Sequence, residues 1–374
     1  MKLSPEIETL VPYKPGKPIS ETKREYGVQN VIKLGSNENP LGTSPKVVAA
    51  LKNALSQLHL YPDPACFELL DVIAKKWGIS KSWLSVGNGS NEIIDLLIRI
   101  FCEPGDQILT TDKAFLAYAI CAQAARVGCR LAPLAPGFNT DLKAMSKILL
   151  EDPQADKIKL VFIPNPNNPT GTYVSDAEIC HFLKQHGNDP NRLIIFDEAY
   201  TEYVRASDYS SAMGHMKAFS SVVVIRTLSK AYGLAGLRVG ILCAPPMVID
   251  YFNRVRNPFN VNDLAQVAAV AALQDDEFIR RSVANNALGL DNFYAELQKM
   301  KLPFVESQGN FVMFDTLRDV SAVNEALLKR GVILRPILNY GFKTEMRMSV
   351  GLPEENQVAI QALREVMSEI SPIK

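Results

Sequence analysis

Residues 221–238 read SVVVIRTLSKAYGLAGLR, a β-branched run that stops abruptly on polar side chains. Ser221 to Ile225 is too short for a helix and shows no alternation, so it suits a strand covered on both faces. The arrangement occurs twice more upstream. IKLVFI at 158–163 runs into Pro164 and an asparagine-rich turn, and LIIF at 193–196 runs into Asp197. Between them, Asp176 to Gln185 has helical spacing, as do Lys46 to Leu58 and Cys66 to Trp77 nearer the start. Strand, helix, strand repetition specifies an α/β architecture, with a mostly parallel sheet sandwiched by helices.

Downstream the pattern changes. An Ala-rich helix from Leu264 leads into a charged helical stretch over 275–300. After it come strand Asn310–Phe314, helix Val320–Lys329, strands Val332–Arg335 and Met346–Val350, and helix Glu354–Glu369, which together predict a smaller α+β domain. The proline-rich first forty residues read as an extended arm. The expected division is an arm and part of the small domain over 1–36, a large domain over 37–274, and the rest of the small domain over 275–374.

Forty Lys plus Arg balance forty Asp plus Glu. Nucleic-acid binding draws on a basic excess, so the balance argues against a nucleic-acid partner. The first residues lack the apolar core of a signal peptide, and no stretch approaches the roughly 20 apolar residues of a spanning helix, so a cytoplasmic protein without a membrane partner is expected. Cys66, Cys102, Cys121, Cys129, Cys180 and Cys243 form no CxxC pair and lie near no histidine at ligand spacing. They read as reduced packing thiols, and no metal site is expected. His59, His181, His186 and His215 fall outside every motif.

In an open α/β sheet, ligands collect beyond the carboxyl ends of the strands. There the first run delivers Asn165, Asn167, Asn168 and Gly171, the second Asp197, Glu198 and Tyr200, and the third Arg226, Thr227, Ser229 and Lys230. Taken singly, each is a turn or a helix cap. Together they supply what pyridoxal phosphate requires: a lysine to condense with its aldehyde, a carboxylate to keep its ring nitrogen protonated, and donors for its phosphate. Arg238, eight residues after Lys230, can return to a dianionic phosphate. VGNGSN at 86–91 opens a helix over Glu92 to Phe101, so the amides of Gly89, Ser90 and Asn91 would stand at a helix N-terminus, where anions are favoured.

The NNPTG turn at 167–171, DEAY at 197–200 and SKAYGLAGLR at 229–238 resemble the fold-type I pyridoxal phosphate aminotransferases over nearly the whole chain. PYKPGKP at 12–18, KLGSNENPLG at 33–42, YPD at 61–63, NPFNVNDLAQVAA at 257–269, QGNFV at 308–312, GVILRPI at 331–337 and RMSVG at 347–351 resemble the histidinol-phosphate aminotransferase branch. The resemblance implies that Lys230 carries the cofactor and moves the substrate proton, while Asp197 pairs with the ring nitrogen. Asn168 and Tyr200 would bond the ring hydroxyl oxygen, and Phe115 would stack on the ring. Gly89, Ser90, Asn91, Thr227 and Arg238 would hold the phosphate, joined by Tyr61 from a second subunit of a homodimer. Substrate binding would fall to Tyr13, Asn37, Arg335 and Arg347. The pattern departs at Asn91, where relatives carry Asp, and at Lys113 to Phe115, where they carry Pro-Thr-aromatic.

The activity this implies is transamination between histidinol phosphate and 2-oxoglutarate, giving imidazole acetol phosphate and glutamate. An aromatic aminotransferase and a threonine-phosphate decarboxylase share much of the pattern. A ligand-binding regulator without catalysis is the rival from another class.

Overall fold

The computed structural model describes residues 3–13 and 15–373; Met1 and Lys2 of the arm, Lys14 of the PYKPGKP segment and Lys374 lie outside them. The largest sheet has seven strands: β1 (Leu84–Asn88), β2 (Gln107–Thr111), β3 (Gly128–Ala132), β4 (Ile158–Pro164), β5 (Leu193–Asp197), β6 (Val222–Thr227) and β7 (Val239–Cys243). Their spatial order is β1-β7-β6-β5-β4-β2-β3. All neighbouring pairs are parallel except the two that β7 makes with β1 and β6. The three apolar runs are thus adjacent, and register places Pro164 beside Asp197 and Asp197 beside Ile225. Their polar successors emerge at one edge of the sheet for that reason.

Burial on both faces explains the absence of alternation in β4 to β6. Val161, Ile163, Ile194, Phe196, Val222 and Val224 belong to one apolar cluster, while Leu160, Phe162, Ile195, Val223 and Ile225 belong to another. Each strand feeds alternate side chains to opposite layers. A third cluster gathers Leu34, Leu290, Phe293, Val312, Val332, Met348 and Leu363 around a four-stranded antiparallel sheet of Arg335–Pro336, Glu345–Ser349, Phe311–Asp315 and Phe304–Val305. Ile32–Lys33 pairs in parallel with Val332–Ile333, so a segment near the start of the chain packs with its end. Helix Asp276–Lys299 spans both regions, with Ile279 and Val283 against the first cluster and Leu290, Phe293 and Leu297 in the third.

Several elements differ from the sequence expectation. The arm is not wholly extended, because Pro5–Glu8 and Ile19–Tyr26 are helical. Their prolines stand at or before the first turn, where a missing N–H costs nothing, and Gly27 ends the second helix at φ 68°. The expected strand Val332–Arg335 divides into Val332–Ile333 and Arg335–Pro336, which belong to different sheets. Helix Ser90–Phe101 starts two residues earlier than expected. Among the described residues no helix is long and apolar enough to cross a membrane, and no group of three His, Cys, Asp or Glu could hold a metal ion.

Candidate active site

One cavity of about 300 Å³ opens at the carboxyl ends of β4 to β6. It is lined by Ser90 and Asn91 from the helix after β1, Phe115, Asn168, Asp197, Tyr200, Thr227, Lys230 and Arg238, and by Arg335 and Arg347 from the smaller sheet. Tyr13 and Asn37 reach it from the N-terminal segment. The structure thus gathers these thirteen residues here, and Ser229 with them. Gly89 is not in the lining but lies against the Arg238 guanidinium. Tyr61 is also absent from the lining: it is 83% exposed and stacks on Phe259, ring centroids 4.6 Å apart.

The cationic floor follows from chain geometry. Beyond β6 the loop folds back through Gly233 N–H to Lys230 O, Leu234 N–H to Leu228 O and Leu228 N–H to Val239 O, so Arg238 returns toward Ser229, 3.4 Å from Nη1 to Oγ. Its guanidinium lies so close to Gly89 that a Cβ there would sit 2.4 Å from Nη2. Gly240 is equally constrained, since its Cβ would meet Ser90 N at 2.6 Å. With Gly89 at φ 80° capping the helix, backbone amides, a helix N-terminus and an arginine converge as anion binding requires.

Asp197 is buried, and its two oxygens differ. Tyr118 O–H donates to Oδ2 at 2.7 Å, while Oδ1 is buried with no hydrogen-bond partner among the described residues. Burial pushes this carboxyl up to about 6, opposed chiefly by the Tyr118 donor. Desolvation brings the Lys230 amine down to about 8, assisted by Arg347. Tyr200, edge-on to Phe311 and with the Lys230 ammonium 5.8 Å from its ring centroid, accepts a hydrogen bond from Asn37 Nδ2 at 2.9 Å. Arg347 donates to Asn168 Oδ1 at 2.5 Å and to Gly35 O at 2.8 Å, with Nε unpartnered among the described residues.

Two neighbours of these groups face elsewhere. Arg226 turns from the cavity to pair with Glu198 at 2.8 Å and lies over Trp77. Strand alternation separates this ion pair from Asp197. Tyr118 was not legible as a site residue: within LAYAICAQAA it looks like core, and it does stack on Phe162. Only the partner of its hydroxyl marks it.

A desolvated lysine, a buried carboxylate oxygen without a partner and a glycine-lined anion cradle in one cavity define a pocket built for an aldehyde-bearing, phosphorylated aromatic cofactor. Pyridoxal phosphate fits each of these features. The family model described as aminotransferase class I and II matches residues 29–363. The chain is 58% identical over 373 residues to the histidinol-phosphate aminotransferase of Bdellovibrio bacteriovorus, covering 100% of each. It is 40% identical over 361 residues to histidinol-phosphate aminotransferase 2 of Haemophilus influenzae, covering 96% of each. Among solved structures, the Sinorhizobium meliloti histidinol-phosphate aminotransferase in complex with pyridoxal-5'-phosphate has a similar fold, with TM-score 0.87, 24% identity and 98% of each chain covered. The chain belongs to the class I and II aminotransferase family.

Proposed function

We propose that this enzyme transfers an amino group between histidinol phosphate and 2-oxoglutarate, using pyridoxal phosphate, in histidine biosynthesis in the cytoplasm. The full-length 58% identity to a histidinol-phosphate aminotransferase supports the substrate. The observation that carries it is a cavity with two cationic poles from different sheets. Arg238 follows the large-sheet loop, while Arg335 and Arg347 are cross-strand partners in the smaller sheet. One pole suits the cofactor phosphate and the other the substrate's phosphate or carboxylate.

Gly89, Ser90, Asn91, Thr227 and Arg238 would hold the cofactor phosphate, Phe115 would cover the ring, and Asp197 Oδ1 would hold the proton on the ring nitrogen. Asn168 and Tyr200 would bond the ring oxygen. When bound, pyridoxal phosphate supplies an electron sink that weakens bonds to the substrate's amine-bearing carbon. Lys230 would carry the cofactor and then move the proton at that carbon. Tyr13, Arg335 and Arg347 would orient the substrate anion. Tyr61 lies outside the cavity of its own chain, and we infer a homodimer in which it completes the cavity of a second copy. The assignment of 1–36 and 275–374 to a small domain, with 37–274 as the large one, rests on the separate apolar clusters.

The test of the substrate is a set of half-reactions. The pyridoxal-loaded enzyme mixed with histidinol phosphate should change its visible spectrum fastest, ahead of phenylalanine and threonine phosphate. A faster response to phenylalanine makes it an aromatic aminotransferase instead. Carbon dioxide release from threonine phosphate makes it a decarboxylase. Arg347→Ala should raise KM for both histidinol phosphate and glutamate by about 10- to 100-fold, the loss of one charge-assisted contact. A rise for only one substrate rejects a shared anion site.

Lys230 predicts a pH dependence. Below about 8 its amine is mostly protonated and cannot attack an aldehyde. Capture of pyridoxal phosphate by the apoenzyme, followed by visible absorbance, should therefore accelerate about tenfold per pH unit and level off near 8. Acceleration continuing toward pH 10 would show an unperturbed lysine.

A further inference from the structure

We infer that Ser349 and Asn37 are positioning residues: their hydrogen bonds aim the Tyr200 hydroxyl proton into the cofactor cavity. This rests on the reading above that Tyr200 meets the ring oxygen of pyridoxal phosphate.

A tyrosine hydroxyl can donate or accept, and a buried one takes the role its neighbours leave open. Ser349, Asn37 and Tyr200 are 2%, 1% and 4% exposed, so water does not settle their polarity. The chain of constraint begins at the backbone. Asn37 N–H donates to Ser349 Oγ at 2.9 Å, and a backbone amide can only donate. Ser349 O–H then donates to Asn37 Oδ1 at 2.8 Å, its remaining hydrogen bond among the described residues. That identifies the oxygen end of the Asn37 amide, so the nitrogen end must face Tyr200, 2.9 Å away. Tyr200 accepts there, and its own proton is left to donate elsewhere.

Turning the amide over would place Asn37 Oδ1 against Tyr200 and draw the tyrosine proton away from the cavity. It would also leave the buried Ser349 O–H without an acceptor, which is costly. The backbone holds this arrangement rigidly. Asn37 sits at φ 55°, Asn310 Nδ2 donates to its carbonyl at 3.1 Å, and Ser349 N–H donates to Leu34 O at 2.8 Å. Among the described residues, Arg347, Asp197, Tyr340, Lys230, Tyr118 and Tyr203 are charged or titratable groups near Tyr200. Since Ser349 lies on a strand of the smaller sheet and Tyr200 follows β5, the relay joins the two sheets at the cofactor oxygen.

A donor to the ring oxygen stabilises its anionic form, and losing it lets that oxygen hold its shared proton more firmly. The experiment is a pH titration of the visible absorbance of the holoenzyme and its variants. Tyr200→Phe should raise the midpoint by about one pH unit, the equivalent of one hydrogen bond. Ser349→Ala frees the amide to turn and should raise the midpoint by a substantial part of that shift, with no further rise when combined with Tyr200→Phe. Asn37→Gly, which suits the positive φ and removes the competing acceptor, should stay near the wild-type midpoint and should cancel the Ser349→Ala shift. An unmoved midpoint in Ser349→Ala, beside a shifted Tyr200→Phe, overturns the relay while leaving Tyr200 at the ring oxygen. So does an Asn37→Gly midpoint as high as that of Tyr200→Phe. If Tyr200→Phe itself does not shift, the placement of Tyr200 fails and the relay with it.

Discussion

Lys230→Ala should leave a folded protein that binds pyridoxal phosphate reversibly and turns over at least about 10⁴-fold more slowly. Lys230 is the one lysine among the described residues that line the cavity, so no second amine stands ready to carry the cofactor or relay the substrate proton. Positioned proton transfer alone accounts for about 10²–10⁴ in rate, and loss of the covalent anchorage adds to it. Folding should survive because the side chain's hydrogen bond among the described residues is a single long one, Nζ to Ser36 O at 3.5 Å, and its amine is desolvated at a cost. Borohydride should fail to fix cofactor to the variant while fixing it to the wild type. Normal turnover in a cofactor-saturated Lys230→Ala protein would sink the catalytic assignment.

Asp197→Asn should be nearly as damaging to catalysis while making the apoenzyme more stable at neutral pH. The catalytic loss, about 100-fold or more, follows because a neutral amide cannot hold a proton on the ring nitrogen. The stability gain follows from linkage. Burial raises the folded Asp197 to about 6, against an ordinary value of 3.8. The folded state therefore binds the proton more tightly than the unfolded one between those values, and stability falls as pH rises through that window. Above pH 6 the ionised carboxylate costs the apoenzyme about 3 kcal/mol, from about two units at 1.36 kcal/mol each. Asparagine can still accept from Tyr118 and carries no charge. Calorimetry of the two apoenzymes should find the variant's Tm several degrees higher at pH 8 and indistinguishable at pH 4. A lower Tm for the variant at pH 8 would show that Asp197 is not destabilising before the cofactor arrives.

Such opposed effects are what a preformed site entails. Asp197 Oδ1 and Arg347 Nε, unpartnered among the described residues, and the desolvated Lys230 are poor contributors to stability and good ligands. The well-satisfied Arg226–Glu198 pair next door, donating and accepting among Ser211 and Ala212 as well, shows what the fold does with charges that only hold it together. Two adjacent residues, Asp197 and Glu198, thus serve opposite ends.

Much of the architecture is written in local pattern. Helix Val320–Lys329 has the same bounds in sequence and structure, because Asp319 caps it and apolar spacing marks its buried face. The strands β4 to β6 are legible because burial on both faces demands unbroken apolar runs. Strands β1, β3 and β7 leave weaker marks. LSVGN carries a glycine that the helix beyond it requires, GCRLA is an edge strand with exposed residues, and VGILC gives no sign that it runs against its neighbours.

Residue chemistry was likewise readable. A lysine, a carboxylate and an arginine in strand-end clusters needed only an α/β sheet to bring them together, and residue type and order along the chain determine that much. Hydrogen-bond direction is another matter. Tyr118 and Asp197 are 79 residues apart and Asn37 and Ser349 are 312 apart, and no local pattern relates them. Whether Asn37 touches substrate or aims Tyr200, and whether Arg226 or Arg238 faces the cavity, depends on how the packed layers are set against one another. Sequence alone determined the α/β class and the cofactor chemistry, since both depend on local patterning and side-chain type. The tertiary structure decided which buried polar atom is left without a partner, because that is set only when distant segments close around it and exclude water.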